Sequence, residues 1–235
     1  MNSSRIDRVL QVLSLVALAP APTPLKEIGA RLGLHPSMVS RIVADLIAGG
    51  LLAKVTYRTV TGTPALAALG RSAGKNHPLT GIAREVLHKP MAEREKLSCE
   101  FATVVPGGFF HFYKVNRKVS APELLWRSDL AAVIFAARGD GWEEVCAELA
   151  FAAPEGTDLS FPLFKERFQE AQENRLLVNY HGGRFWQLTL PVVCDQIVCA
   201  LSVSGMDAAD MDRSFCSGLA VAIRSRYKEF SNPNA

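Results

Sequence analysis

The stretch Pro36-Ser-Met-Val-Ser-Arg-Ile-Val-Ala-Asp-Leu-Ile-Ala-Gly-Gly50 decides the reading of this chain. Val39, Ile42, Val43 and Leu46 recur at helical spacing, so one stripe faces a core. Ser37, Ser40, Arg41 and Ala44 fall on the opposite stripe. Small side chains beside one arginine make a surface that fits a DNA major groove, where a guanidinium can bond guanine in bidentate fashion. Pro36 suits a first helical turn, and Gly49-Gly50 suits an end. An ordinary two-helix corner shows the same periodicity, so the flanking sequence has to separate the two readings.

Upstream, Thr23-Pro24 reads as an N-cap followed by proline at the first helical position, and Leu25, Ile28 and Leu32 supply an apolar stripe. Gly33-Leu34-His35 is a link of the length expected between two crossed helices. Further back, Ser4 and Asp7 resemble a capping box opening a helix to Ala19. Its stripe of Ile6, Val9, Leu10, Leu13, Val16 and Leu18 is expected to pack behind the helix pair. The run Pro20-Ala-Pro-Thr-Pro24 ends it as a stiff loop. Downstream, Leu51 to Gly62 reads as two short strands and a turn, the wing of a winged helix. Lys54, Tyr57 and Arg58 at its tip are placed to meet phosphate backbone or minor groove, though exposed hairpin tips also carry charge for solubility alone. Thr63-Pro64 opens a short helix through Leu69. Gly70, Gly74 and Lys75-Asn-His-Pro78 then mark a domain boundary.

The remainder changes character. Leu79 to His88 reads as a helix with Leu79, Ala83, Val86 and Leu87 on one side, broken or kinked by Pro90. Its apolar side is expected to pair with a twin in a dimer, packing on its own second domain being the alternative. Residues 99–105 and 109–115 read as strands around Pro106-Gly-Gly108. Three helices (130–137, 143–150, 163–173) precede three strands (176–180, 185–193, 197–204). A closing helix, 210–230, carries Met211, Phe215, Leu219, Ile223 and Tyr227 along one stripe. This order describes an α+β domain on an antiparallel sheet.

Charge supports a division of labour. Residues 1–88 carry ten Lys and Arg against four Asp and Glu, and the rest carries sixteen against nineteen. A basic small half beside a mildly acidic larger one suits a nucleic-acid-binding module joined to something that avoids phosphate. Five cysteines (Cys99, Cys146, Cys194, Cys199, Cys216) form no CxxC pair and sit mostly in apolar runs, as buried structural thiols do. The five histidines are scattered. No metal and no cofactor is expected. The chain offers no GxSxG, HExxH, P-loop or GxGxxG at a strand-to-helix turn, so no enzyme is expected. No apolar run reaches membrane-spanning length and no signal-peptide pattern opens the chain, which points to the cytoplasm.

Taken together, the chain resembles the IclR family of bacterial transcriptional regulators along nearly its full length. The match is carried by Leu25-Lys-Glu-Ile-Gly-Ala-Arg-Leu-Gly-Leu34, by Ser37, Val39 and Arg41, by Gly50-Leu51, by Leu190-Pro-Val192 and by Ala200-Leu-Ser-Val-Ser-Gly205. The resemblance implies a winged-helix DNA-binding domain (1–75), a linker helix (76–92) and a GAF-like effector-binding and oligomerisation domain (93–235). It implies a homodimer or homotetramer on a palindromic operator of double-stranded DNA, modulated by a small acidic or aromatic metabolite. Ser40 and Arg41 are then the first candidates for base contacts, with Ser37 and Met38 nearby, while Arg31, Lys54, Tyr57 and Arg58 position the backbone. Ser202 and Ser204 match pocket-lining positions, Gln187 falls where many relatives have cysteine, and Ser128 opens the helix that caps the pocket.

Three departures bear on the ligand. The stretch between Val115 and Leu125 is short, Trp126 is large enough to fill the cavity, and the turn Cys194-Asp-Gln196 is abbreviated. Two alternatives stay open: a pocket that has been lost, with the serines of 201–204 simply alternating with Leu201 and Val203, and a winged helix that serves as a protein-interaction adaptor.

Overall fold

The computed structural model describes residues 5–19, 21–115, 124–153, 156–181, 185–206 and 212–232. They fold as two compact units, Met1–Lys75 and Asn76–Ala235.

The first unit packs α1 (Arg5–Leu18), α2 (Leu25–Leu32) and α3 (Pro36–Ala48) around Val12, Leu15, Val16, Ile28, Val39, Ile42, Val43 and Leu46. Two glycines let α2 and α3 meet. A Cβ on Gly29 would stand 3.1 Å from the Leu34 carbonyl oxygen, and Gly33 turns the chain at φ +61°, a conformation that strains other residues. The wing follows as β2 (Leu52–Lys54) and β3 (Thr59–Gly62), with Leu52 opposite Gly62 and Lys54 opposite Val60.

Three expectations about this unit need correction. Thr23-Pro24 does not cap α2 as a threonine–proline pair. It forms a two-residue strand, β1, opposite Val60 and Thr59, and Pro24 itself occupies the cap position. The reason is tertiary: the Leu25 N–H is claimed by the Arg58 carbonyl at 2.9 Å. In α1 the buried face is Val12, Leu15 and Val16, whereas Ile6 (70% exposed), Leu10 and Leu18 lie outside. Both stripes obey helical spacing, and only the location of α2 and α3 selects between them. The expected cap Ser4 falls outside the described residues. The helix from Pro64, α4 (Pro64–Asn76), runs well past Leu69, through both glycines, with none of its residues buried.

The second unit is a five-stranded antiparallel sheet in the order β5-β4-β8-β7-β6. Its strands are β4 (Ser98–Val105), β5 (Gly108–Val115), β6 (Leu177–His181), β7 (Phe185–Cys194) and β8 (Ile197–Gly205). On one face lie α5 (Pro78–Glu93) and α9 (Arg213–Ser231), over Cys99, Phe101, Leu188, Leu190, Val192, Leu201 and Val203. On the other lie α6 (Asp129–Arg138), α7 (Trp142–Ala152) and α8 (Pro162–Asn174), whose core centres on Phe135, Phe164 and Leu149.

The expectation for α5 is also revised. Its apolar side, Leu79, Ile82, Ala83, Leu87 and Met91, is buried in the core of its own unit against α9 and the sheet. The same stripe cannot serve as a seam with a twin. Nor does Pro90 break the helix: it forgoes one N–H bond in the last turn, and buried Met91 holds that turn in place.

Four cysteines point into this core, and burial pushes their thiols up, Cys194 and Cys216 to about 11 and Cys99 and Cys199 further. Cys146 on α7 is half-exposed, with Lys165 partly offsetting the same effect. Since thiolates are the reactive species, iodoacetamide is expected to label Cys146 first in the folded protein and the other four only on unfolding. Mass spectrometry of partially labelled protein checks this; early labelling of Cys199 would contradict the packing.

Candidate nucleic-acid interface and ligand face

Helix α3 presents Ser37, Ser40, Arg41 and Ala44 to solvent directly opposite its four buried residues. Its start is built by a histidine: the His35 Nδ1 accepts the Ser37 N–H at 3.4 Å and lies 2.8 Å from the Ser37 hydroxyl. This cap sets the first turn, with Pro36 in its favoured place. Near the far end, Asp45 pairs with Arg5 of α1 at 3.3 Å. Among the described residues Arg41 has no ion-pair or hydrogen-bond partner.

Met38 sits apart from this exposed row. It is half-buried, with its sulfur 3.3 Å from an Arg8 guanidinium nitrogen. Together with Arg8, Gln11 and Leu32 to His35 it lines a cleft of about 270 Å³ beside the start of α3. Arg31 is turned along its own helix toward Glu27, 3.6 Å away. On the wing, Lys54, Tyr57 and Arg58 are all exposed, and the Arg58 guanidinium lies 4.7 Å from the centre of the Tyr57 ring. The Thr56 hydroxyl shapes that tip, accepting the N–H groups of Arg58 and Thr59 at 3.1 Å. Sequence reasoning missed Arg8 and His35: one lies inside a helix whose face was misjudged, and the other was read as loop.

In the second unit, cross-strand register gathers polar residues on the sheet face under α6. One row runs Asn179–Gln187–Ser204–Ser98 and the next Thr189–Ser202–Glu100–Lys114. Beyond them the face turns apolar, with Ala200 and Val104. The Gln187 amide donates to the Ser202 hydroxyl at 2.9 Å and toward the Thr189 hydroxyl at 3.4 Å, and those hydroxyls are 3.2 Å apart. So Gln187, Ser202 and Ser204 lie together on one face, and Thr189, fully buried, joins them. Its place two residues after Gln187 on a strand was the available signal.

Ser128 plays a different part from the one expected. Its hydroxyl accepts the Ala131 N–H at 3.4 Å, so it caps α6 for the protein itself. The next residue, Asp129, is only 2% exposed. Its carboxylate accepts from the Asn179 amide at 2.8 Å and lies 3.4 Å from the Arg167 guanidinium of α8, which also donates to the Arg127 carbonyl. Across the sheet, Glu100 pairs with Lys114 at 2.7 Å. Trp126 is half-buried against the core beneath α6. The short stretch after Val115 falls largely on 116–123, outside the described residues. The turn after Cys194 is a two-residue connection with Asp195 at φ +52°.

Two histidines of this unit are depressed by burial. His77 caps α5 by accepting the Leu79 N–H at 3.2 Å, and His111 is further lowered by Lys114 despite an opposing pull from Glu100. A histidine held neutral in the folded state must take up a proton on unfolding below its ordinary pKa of about 6.5, so its contribution is present above that pH and lost below it. Asp140 and Glu148, raised by burial, act in the opposite direction at lower, carboxylate pH. The urea midpoint of the second unit is therefore expected to fall as pH drops from about 7 to 5.5, and His77→Gln should reduce that slope.

Among the described residues no three His, Cys, Asp or Glu side chains come together as a metal site, and no helix is long and apolar enough to cross a membrane.

The comparisons follow this geometry. Residues 5–56 match the IclR helix-turn-helix domain. An IclR-family transcriptional regulator from Brucella abortus superposes with a TM-score of 0.64 over 97% of this chain and 92% of its own, at 16% identity. An IclR transcriptional regulator from Silicibacter sp. TM1040 gives 0.60 over 98% and 96%, at 14% identity. An IclR homolog from Microbacterium hydrocarbonoxydans, solved in complex with 4-hydroxybenzoate, gives 0.55 over 96% and 99%, at 16% identity. No functionally curated protein matches the chain.

Proposed function

We propose that this protein is a sequence-specific DNA-binding transcription regulator and not an enzyme, since residues 5–56 match the IclR helix-turn-helix domain and the chain shares the fold of a two-domain IclR-family structure. The observation that carries the reading is α3, anchored on four buried residues and exposing Ser37, Ser40 and Arg41. Two copies in a homodimer or homotetramer would set two such helices in the major grooves of a palindromic operator. Lys54, Tyr57 and Arg58 of the wing would hold the backbone, joined by Arg8 beside the start of α3. A domain boundary near residue 75, with the helix of 76–92 packed on the second unit, and a cytoplasmic setting belong to the same proposal.

The second unit is proposed to bind a small metabolite over Gln187, Ser202 and Ser204, where buried polar groups converge beside apolar lining. The neighbour's aromatic acid, 4-hydroxybenzoate, suggests an aromatic ligand of that size. Such a ligand changes operator affinity only by binding one arrangement of the dimer better than the other.

Salt-titrated binding to duplex DNA tests the DNA reading. Phosphate contacts release counterions, so log K is expected to fall steeply and linearly with log salt. Flat salt dependence, or no binding, would favour a protein-interaction adaptor.

A further inference from the structure

We infer that the ligand face of the second unit takes an uncharged polar ligand, and that Asp129 is the residue that keeps carboxylic acids out. This rests on the ligand reading above and narrows it to a chemical class. Two carboxylates already border the polar rows, Asp129 at the start of α6, bonded to Asn179 of β6, and Glu100 of β4. Each is matched to one cation, Arg167 or Lys114. The seat an incoming acid would use, the positive start of α6, is filled from within: the Ser128 hydroxyl takes the Ala131 N–H and the Asp129 carboxylate stands in the first turn. A third carboxylate would have to be desolvated beside two others, and the two cations placed with them, Arg167 and Lys114, are already engaged.

The groups left to a ligand are of another kind. The Gln187 amide nitrogen is spent on Ser202 and Thr189, so what that side chain has left to offer is its carbonyl oxygen, an acceptor. The Ser202 hydroxyl, accepting from Gln187 and Thr189, has its own proton to give. One acceptor beside one donor matches a primary amide or a phenol. Carboxylate oxygens, which only accept, would leave the Gln187 oxygen facing another acceptor.

The experiment uses the full chain with benzamide and benzoate, identical in shape and different in charge. Calorimetric titration is compared for the wild type, Asp129→Asn, Arg167→Met and Gln187→Leu. The wild type is expected to prefer benzamide by about tenfold or more, the effect of one like charge across a partly solvated site. Asp129→Asn frees Arg167 and removes the repulsion, so benzoate should rise to match or exceed benzamide. Arg167→Met leaves Asp129 uncompensated and should widen the preference, and Gln187→Leu should abolish benzamide binding. Benzamide binding also certifies that Asp129→Asn and Arg167→Met are folded, and far-UV circular dichroism does so for Gln187→Leu. Equal binding of the two probes by the wild type, or an unchanged ratio in both Asp129→Asn and Arg167→Met, would overturn the inference and leave the ligand reading standing. Failure of both probes on the wild type would remove the ligand reading itself, and this inference with it.

Discussion

Replacing Arg41 with alanine is expected to cost about 1–3 kcal/mol of discrimination between operator and unrelated DNA, roughly 5- to 150-fold. The helix should survive the change. Arg41 lies on the exposed row of α3, its neighbours Val39, Ile42, Val43 and Leu46 hold the core, and alanine is the best helix former. No described residue is left unpaired, because none of them engages Arg41. What goes is a bidentate donor to guanine. Binding to arbitrary duplexes should persist with its salt slope reduced by about one at most. Competition of labelled operator with unrelated DNA at two salt concentrations checks both parts. An Arg41→Ala protein with full discrimination would move the reading role to Ser37 and Ser40.

A second large effect is expected from Phe135→Ala, at about 3–5 kcal/mol of stability. Phe135 is fully buried in α6, with its ring 6.1 Å from that of Phe164 on α8 in an edge-to-face arrangement. Removing it takes away both the transfer free energy and the contacts of the surrounding core, and neighbouring Leu130, Ile134 and Leu149 leave little room to collapse. The loss reaches the ligand face as well, because Asp129 on α6 and Arg167 on α8 meet only while those helices stay seated. Urea unfolding followed by tryptophan fluorescence measures the cost, since Trp126 and Trp142 border this core. Phe135→Leu, which keeps most of the volume, should lose much less. Equal losses for leucine and alanine would contradict a close-packed contact.

What could be read from the sequence, and what could not, follows from how far each signal reaches along the chain. The periodicity of α3 and the turn glycines at 33 and 49–50 are local, so helix, link and end came out where expected. The hairpins around Pro106-Gly107 and Asp195-Gln196 are local too. Alternation along β8 was legible, and register then placed Ser204 opposite Gln187 and Ser202 opposite Thr189. Tertiary choices were not legible. Val9, Leu13 and Val16 form as good a stripe on paper as Val12, Leu15 and Val16, and α5 carries an apolar face whichever partner covers it. Thr23-Pro24 has the residues of a helix start, but β3 recruits it as a strand. Asp129 was hidden for a related reason. An aspartate in a first helical turn is ordinary, and only the folded chain brings Asn179 and Arg167, 50 and 38 positions away, to its carboxylate.

The measurement that bears most directly on the central claim is selection of bound sequences from a random duplex library by the full-length protein at near-physiological salt. A dimeric regulator with α3 in the major groove predicts enrichment of an inverted repeat, with half-site centres about one helical turn, roughly 10 base pairs, or a multiple of that apart. Arg41→Ala should flatten that motif at a guanine position. A library that emerges unenriched, from a protein shown to be folded, would contradict the assignment of α3 as a reading helix.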